Sequence, residues 1–358
     1  MAYTTIDDGS AYFQTKLYTG TGSSNSVTND GNSNLQPDFI WIKERDGTGQ
    51  HGAFDSSRGV QKELKIDEDG AESTASQSVT AFNSDGFTVG TAGDYNGSDN
   101  SQVAWQWKDN GGTTTTNDAS STGVGSIDSV YQANTTAGFS IVSYTGTGSA
   151  GTIAHGLGAV PSWMVVKNRS KSGGEGWMVY HQGNTSAPET EHLQIHNTNA
   201  TSDNDIAWND TAPTSTVFSV KDDDSTNDSG ETHIAYLWTD IQGYSKFGDY
   251  IGTGNDDGPF VYTGFKPAWL MIKRTTANAW GIFDSARGAY NEITMNLDAD
   301  RTDAENTATN YDDLDFLSNG FKLREENDDI NASGGTYIYM AFAEHPFVSS
   351  KGVPATAR

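Results

Sequence analysis

The sequence contains no cysteine. Disulfide bonds and thiolate metal sites are excluded, and the redox compartment is left open. Cations are scarce: 21 Lys and Arg against 47 Asp and Glu give a formal charge of −26. That balance argues against a nucleic-acid partner, because phosphate-backbone binding needs clustered Lys and Arg. A strongly acidic surface stays soluble and salt screens its self-repulsion, which suits a saline medium such as seawater. Long apolar runs are missing, so no membrane insertion is expected. The opening Met1-Ala-Tyr-Thr-Thr-Ile-Asp-Asp8 lacks the basic and apolar regions of a signal peptide. Passage to the outside is therefore expected by lysis or as part of a particle.

What is present is glycine, 40 residues of it, among many Thr, Ser, Asn and Asp. The apolar residues come in short runs bounded by these turn formers, which reads as all-β. A pattern recurs three times in the 358 residues. Tyr18-Thr-Gly-Thr-Gly22 is answered by Tyr144-Thr-Gly-Thr-Gly148 and Tyr250-Ile-Gly-Thr-Gly254. Pro37-Asp-Phe-Ile-Trp-Ile-Lys43 is answered by Pro161-Ser-Trp-Met-Val-Val-Lys167 and Pro267-Ala-Trp-Leu-Met-Ile-Lys273. The prolines lie 124 and 106 residues apart and the tyrosines 126 and 106. Two markers recurring almost in step indicate three tandem copies of one domain, each long enough for its own core.

The run Phe39 to Ile42 suits a central strand covered on both faces, with Pro37 at the strand entrance. Six or more turn-bounded strands per copy favour a β-sandwich; jelly-roll or lectin-like and immunoglobulin-like versions both fit the pattern. A β-propeller is disfavoured because a blade is typically about 40–50 residues. The expected organisation is an N-terminal segment 1–15, repeat one 16–108, a Gly/Thr/Ser-rich linker 109–138, repeat two 139–240, repeat three 244–344 and a tail 345–358. The linker contains almost nothing to bury and is expected to be extended or packed on a neighbour.

Few residues point to chemistry. Phe54-Asp-Ser-Ser-Arg-Gly59 echoes Phe283-Asp-Ser-Ala-Arg-Gly288, and repeat two has Tyr180-His-Gln-Gly183 instead. Asp and Arg three apart after a strand make either a local ion pair closing a turn or a carboxylate- or glycan-contact loop. The Gly-Thr-Gly motifs are not phosphate loops, since no Lys-Ser or Lys-Thr follows. His192 and His196 have metal-like spacing but lack the zincin Glu and a third ligand. No Gly-x-Ser-x-Gly elbow occurs. Four acidic loops invite calcium: 67–70, 222–228, 255–258 and 325–329. None has EF-hand spacing, and solvated turns are the plainer account. Trp41, Trp163 and Trp269 recur at equivalent or near-equivalent strand positions, which assigns them to the core. Trp208, in the polar stretch Ile206-Ala-Trp-Asn-Asp210, is the candidate surface aromatic for sugar stacking. No catalytic residue and no metal ligand is assigned, and no cofactor is expected apart from calcium on the acidic loops.

Longer stretches carry a resemblance. They include Leu35-Gln-Pro-Asp-Phe39, Asp85-Gly-Phe87, Thr136-Ala-Gly-Phe-Ser-Ile-Val142, His155-Gly-Leu-Gly158 and Trp208-Asn-Asp-Thr-Ala-Pro213. Others are Gly243-Tyr-Ser-Lys-Phe247, Gly258-Pro-Phe-Val-Tyr-Thr-Gly-Phe265, Asp315-Phe-Leu-Ser-Asn-Gly-Phe-Lys-Leu323 and Ala332-Ser-Gly-Gly-Thr-Tyr-Ile-Tyr-Met-Ala-Phe-Ala-Glu344, together with the opening octapeptide and the closing Ala357-Arg358. Over essentially its whole length the chain resembles a marine bacteriophage virion structural, tail-fibre-like family carrying a repeated domain of unknown function. Gly9 stands where the family pattern has proline. The resemblance implies a non-enzymatic virion protein, exposed as a tail fibre, receptor-binding protein or capsid decoration, assembled in the host cytoplasm beside other virion proteins. Host surface glycan is the expected ligand and a homotrimer the expected assembly. A tail-associated polysaccharide depolymerase and a bacterial surface adhesin are the alternatives. The first needs a carboxylate pair in a cleft, and the second an export signal.

Overall fold

The computed structural model describes residues 3–171, 173–308 and 313–355, so the opening Met1-Ala2 and closing Ala357-Arg358 lie outside the described residues. Repeat one comprises β1 (Phe13–Thr19), β2 (Asn25–Val27), β3 (Phe39–Glu44), β4 (Gly52–Asp55), β5 (Lys62–Lys65), β6 (Ser73–Thr74), β7 (Val79–Phe82), β8 (Phe87–Val89), the helical turn α1 (Gly93–Asn96) and β9 (Ser101–Trp107). Between repeats lie β10 (Thr115–Asn117), α2 (Ala119–Thr122) and β11 (Ser129–Asn134). Repeat two comprises β12 (Phe139–Thr145), β13 (Gly151–Ala154), β14 (Trp163–Asn168), β15 (Met178–His181), β16 (Glu191–Gln194), β17 (Ser202–Asp203), β18 (Val217–Val220), α3 (Asp224–Asn227) and β19 (Thr232–Trp238). Repeat three comprises β20 (Ser245–Ile251), β21 (Phe260–Tyr262), β22 (Phe265–Arg274), β23 (Trp280–Asp284), β24 (Leu297–Asp298), β25 (Leu314–Leu317), β26 (Gly320–Leu323), α4 (Asp328–Asn331) and β27 (Thr336–Pro346). The chain is all-β, as expected.

Each repeat builds the same antiparallel main sheet. Its order is β1-β9-β3-β4-β5 in repeat one, β12-β19-β14-β15-β16 in repeat two and β20-β27-β22-β23-β24 in repeat three. The expected central strand is β3, paired with β9 on one side and β4 on the other, with Phe39 to Lys43 all buried. A small sheet packs on one face of each main sheet: β2-β8-β7, β13-β18 and β21-β26-β25. In repeat one Val27, Val79, Phe87 and Val89 of the small sheet close over Ile40, Ile42 and Phe54 of the large one. Burying a Phe ring this way contributes about 3 kcal/mol before the entropy of ordering it is counted.

The other faces of the three main sheets meet one another. Phe39 lies 4.5 Å from Tyr236, Trp107 lies 5.7 Å from Trp269, and Trp163 lies 5.8 Å from Trp280, centroid to centroid. Every one of these pairs joins different repeats. Their shared core encloses an apolar cavity of about 30 Å³ lined by Trp41, Trp107, Trp163, Trp238, Trp269 and neighbouring residues. The repeats are therefore not beads on a string; they are arranged around one common centre.

Residues 109–138 are packed on their neighbours, the second of the two arrangements expected of the linker: β11 pairs with β12 along Ser129–Asn134, and β10 pairs with β11, so the segment widens the main sheet of repeat two. Its polar residues are used, since buried Gln132 donates to the Ser56 and Ser57 hydroxyls of repeat one. Phe13, Gln14 and Thr15 belong to β1, not to a preceding segment. Pro267, the counterpart of Pro37, sits differently. It lies inside β22 at an irregularity in the pairing with β27, a place where a missing N–H is tolerated.

Candidate functional site

The Phe-Asp-Ser-x-Arg-Gly loops lie at the seams between repeats. The Asp55 and Arg58 side chains are fully buried and form an ion pair at the end of β4. The Arg58 backbone N–H donates to Asp55 Oδ1 at 2.7 Å, and Arg58 Nη2 donates to the Ala53 carbonyl at 2.9 Å. Tyr236 of repeat two donates its hydroxyl to Asp55 Oδ2 at 2.7 Å. Glu72 then accepts from Arg58 at 3.3 Å and from Arg169 of repeat two at 2.9 and 3.0 Å. The seam between repeats three and one repeats this arrangement. Arg287 pairs with Asp284 at 2.5 Å, Trp105 Nε1 donates to Asp284 at 3.0 Å, and Glu305 joins Arg287 to Arg45.

The third seam explains why repeat two lacks the motif. Register places Trp105, Tyr236 and Met340 at equivalent positions, opposite Trp41, Val165 and Met271. Met340 has no proton to donate, and the residue that would face it is His181 rather than Asp. His181 Nδ1 accepts from the Gly183 N–H at 2.9 Å, which leaves the proton on Nε2 to bond the Tyr339 carbonyl at 3.1 Å. Burial holds its pKa down to about 4, so the ring is neutral at pH 7. Asn184 replaces the Arg and bonds Thr201, and the Thr201 N–H donates to the Thr275 carbonyl at 2.8 Å. Two seams are charged and one is neutral, each internally matched. The loop is thus structural, the first of the two readings its sequence allowed.

A further bond at each seam closes the circle. Trp177 Nε1 donates to the Lys65 carbonyl at 2.8 Å, joining repeat two to one. Trp280 Nε1 donates to the Gln194 carbonyl at 3.0 Å, joining three to two. His51 Nε2 bonds the Arg301 carbonyl at 3.0 Å, joining one to three, while its Nδ1 accepts from Trp41 at 2.8 Å. Desolvation pushes the His51 pKa well down, so it too is neutral.

The Gly-Thr-Gly motifs are occupied by the protein itself. Tyr18, Tyr144 and Tyr250 donate their hydroxyls to the carbonyls of Tyr95, Thr226 and Ile330 in the helical turns, at 2.6, 2.5 and 2.7 Å. The next residue of each turn is a buried asparagine: Asn96, Asn227 or Asn331. Its Oδ1 accepts the Thr21, Thr147 or Thr253 N–H at 2.9, 2.8 and 2.8 Å, and its Nδ2 donates to two loop carbonyls. The first glycine of each motif is required by close approach. A Cβ at Gly20, Gly146 or Gly252 would lie 2.0, 2.2 or 2.4 Å from a backbone oxygen. Sequence reading missed the asparagines, although each ends the turn just before the last strand of its repeat.

The motif lysines Lys43, Lys167 and Lys273 are fully buried and donate to backbone carbonyls. Burial lowers all three to about 8, although nearby carboxylates oppose the shift. Lys167 crosses a seam to the Asp69 carbonyl at 3.0 Å.

Trp208 is not a surface aromatic. It is 1% exposed, packs in the core of repeat two edge-on to Tyr180, and donates Nε1 to the Glu191 carbonyl at 3.0 Å. Its polar neighbours misled because the chain turns through the core there for only two buried residues, Ala207 and Trp208. His192 and His196 serve different surroundings. His192 is buried on β16, whereas His196 Nδ1 accepts from the Trp177 N–H at 3.3 Å. The acidic loops act mainly as caps and ion-pair partners: Asp223 caps α3, Asn327 caps α4, Asp257 meets Lys322 at 2.7 Å, and Lys171 meets Asp224 and Asp228 at 2.9 Å. Among the described residues, no three His, Asp or Glu side chains converge as metal ligands.

Residues 8–346 match a domain of unknown function, DUF7483. The chain belongs to the DUF7483 family. One family unit spans all three repeats, as expected if the repeats share a core and cannot be separated. No curated protein matches the chain.

Proposed function

We propose that this DUF7483 protein is a non-enzymatic structural component of a phage virion, displayed as a tail appendage or capsid decoration and contacting host surface glycans. The observation that carries the reading is the closed arrangement of three homologous repeats around one core, bonded in a ring from one to three, two to one and three to two. In such a unit the Gly-Thr-Gly loops and the seam loops are engaged within the protein itself. The side chains that looked most like chemistry are engaged within the protein: the Asp–Arg pairs in the seams, and His192 and His196 inside repeat two. The resemblance along the whole chain supports the virion assignment. Because the threefold arrangement is built within one chain, we take the single chain as the unit in place of a homotrimer. Native mass spectrometry at the monomer mass of 38.4 kDa is the expected result.

Immunogold electron microscopy of source particles with antibody to this protein tests the reading. Label at the tail tip supports receptor binding, and label over the head supports decoration. Absence of label from every particle overturns the virion assignment.

A further inference from the structure

Internal repetition supplies its own control. A feature that all three repeats share is explained by the fold, and one that a single repeat carries alone is not. The small sheets can be aligned through Val27, Ile153 and Val261, which pair with Phe87, Phe218 and Phe321. The flanking residues of that first strand point to the opposite face, away from the core. In repeat one they are the exposed Ser26 and Thr28, and in repeat two the half-buried Thr152 and the buried Ala154, which is covered there beside Ser129. In repeat three they are Phe260 and Tyr262, which are 45% and 53% exposed.

We propose that this outer face of repeat three is a binding site for a neutral polysaccharide, with Phe260 and Tyr262 as the stacking platform. The inference rests on the glycan-contact reading above and gives it a location. Residues two apart on a strand project on one face about 7 Å apart, so both rings can touch a single extended ligand. The platform is held in place: the Tyr3 hydroxyl lies 3.0 Å from the Tyr262 hydroxyl and donates to the Gly264 carbonyl at 2.8 Å. Gly320 sits directly opposite Tyr262, and the edge of the Phe260 ring rests over it, where a Cβ would lie 3.1 Å from Cε2. Polar groups border the rings on the same face. Lys322 is the cross-strand partner of Phe260 and pairs with the exposed Asp257 at 2.7 Å; Arg324 pairs with Asp315 at 2.5 Å. These pairs are locally balanced in charge and offer both donors and acceptors to hydroxyl groups.

Size and charge select this occupant over others. Two half-exposed rings present roughly 200 Å², whereas a stable protein interface needs about 800 Å² per partner. A second copy of the chain is therefore disfavoured. The net charge of −26 repels polyanions, which favours an uncharged chain of sugars.

The test is affinity electrophoresis of the intact protein in gels containing dextran, laminarin, galactomannan or, as the acidic comparison, alginate. The wild type is expected to be retarded by at least one neutral polymer. Phe260→Ser with Tyr262→Thr rebuilds the face that repeat one already folds with, and should weaken binding at least about tenfold, as loss of an aromatic anchor does. Tyr262→Phe keeps the ring and should retain binding. Ser26→Ala and Thr152→Ala, at the equivalent places in the other repeats, should change nothing. Retardation by no polymer, by alginate alone, or equally in the double variant would overturn the proposal. So would wild-type self-association in sedimentation that the double variant abolishes. The virion reading fails separately. Labelled particles with no retardation remove this site and leave the structural role, whereas retardation without labelled particles removes the virion role and leaves the site.

Discussion

Replacing Arg58 with methionine tests whether the seams hold the molecule together. The substitution keeps most of the side-chain volume but deletes the guanidinium that pairs with Asp55, bonds the Ala53 carbonyl and reaches Glu72. Glu72 keeps its bidentate partner Arg169, so its charge stays compensated. Asp55 does not: it is fully buried and retains only the Arg58 backbone N–H and the Tyr236 hydroxyl. Stranding a buried charge costs about 3–5 kcal/mol, which is the expected loss. Asp55→Asn in the same chain removes that charge and should recover about 2 kcal/mol or more, because a neutral seam is viable, as His181, Asn184 and Met340 demonstrate between repeats two and three. Equilibrium urea unfolding, followed by tryptophan fluorescence and far-ultraviolet circular dichroism, measures both effects. The two probes should give one coincident transition, since the core is common to all three repeats. A loss below about 1 kcal/mol in Arg58→Met, far under the cost of a stranded charge, would refute the reasoning. Separate transitions for separate repeats would refute it equally.

Three further outcomes are expected. His181 has a folded pKa of about 4, below its ordinary 6.5, so the unfolded chain takes up a proton that the folded chain refuses as pH falls between those values. The stability difference between wild type and His181→Gln should therefore shrink by about 1.4 kcal/mol per pH unit across that window, and a pH-independent difference from urea unfolding would exclude it. Asn227→Ala strands the Thr147 N–H and the Ser149 and Lys221 carbonyls, and should cost about 3 kcal/mol or more by the same measurement. Trp208→Ala should cost about 3–5 kcal/mol as a core cavity while leaving polysaccharide retardation unchanged; weakened binding without loss of stability would return Trp208 to the surface.

The sequence by itself determined the all-β class, the number of repeats and the central strands. Those properties are local: Phe39 to Ile42 must be covered on both faces, and a turn former must end each apolar run. Glycine at 20, 146 and 252 and the motif tyrosines were legible as a signature, although their partners, the asparagines of the helical turns, were not. What only the tertiary structure decided is everything that depends on residues far apart in the chain. Asp55 meets Tyr236 across 181 positions, and Trp105 meets Asp284 across 179. No pattern within one repeat reveals that its Asp–Arg loop faces a neighbour, or that His181 and Met340 replace an acid and its donor together. The same limit misplaced Trp208, whose polar neighbours lie outside a core that the distant Tyr180 completes. The exposed pair at Phe260 and Tyr262 was invisible for a related reason. Alternating aromatic residues on a strand look like core until the sheet shows which face is already filled, here by Val261 and Phe321.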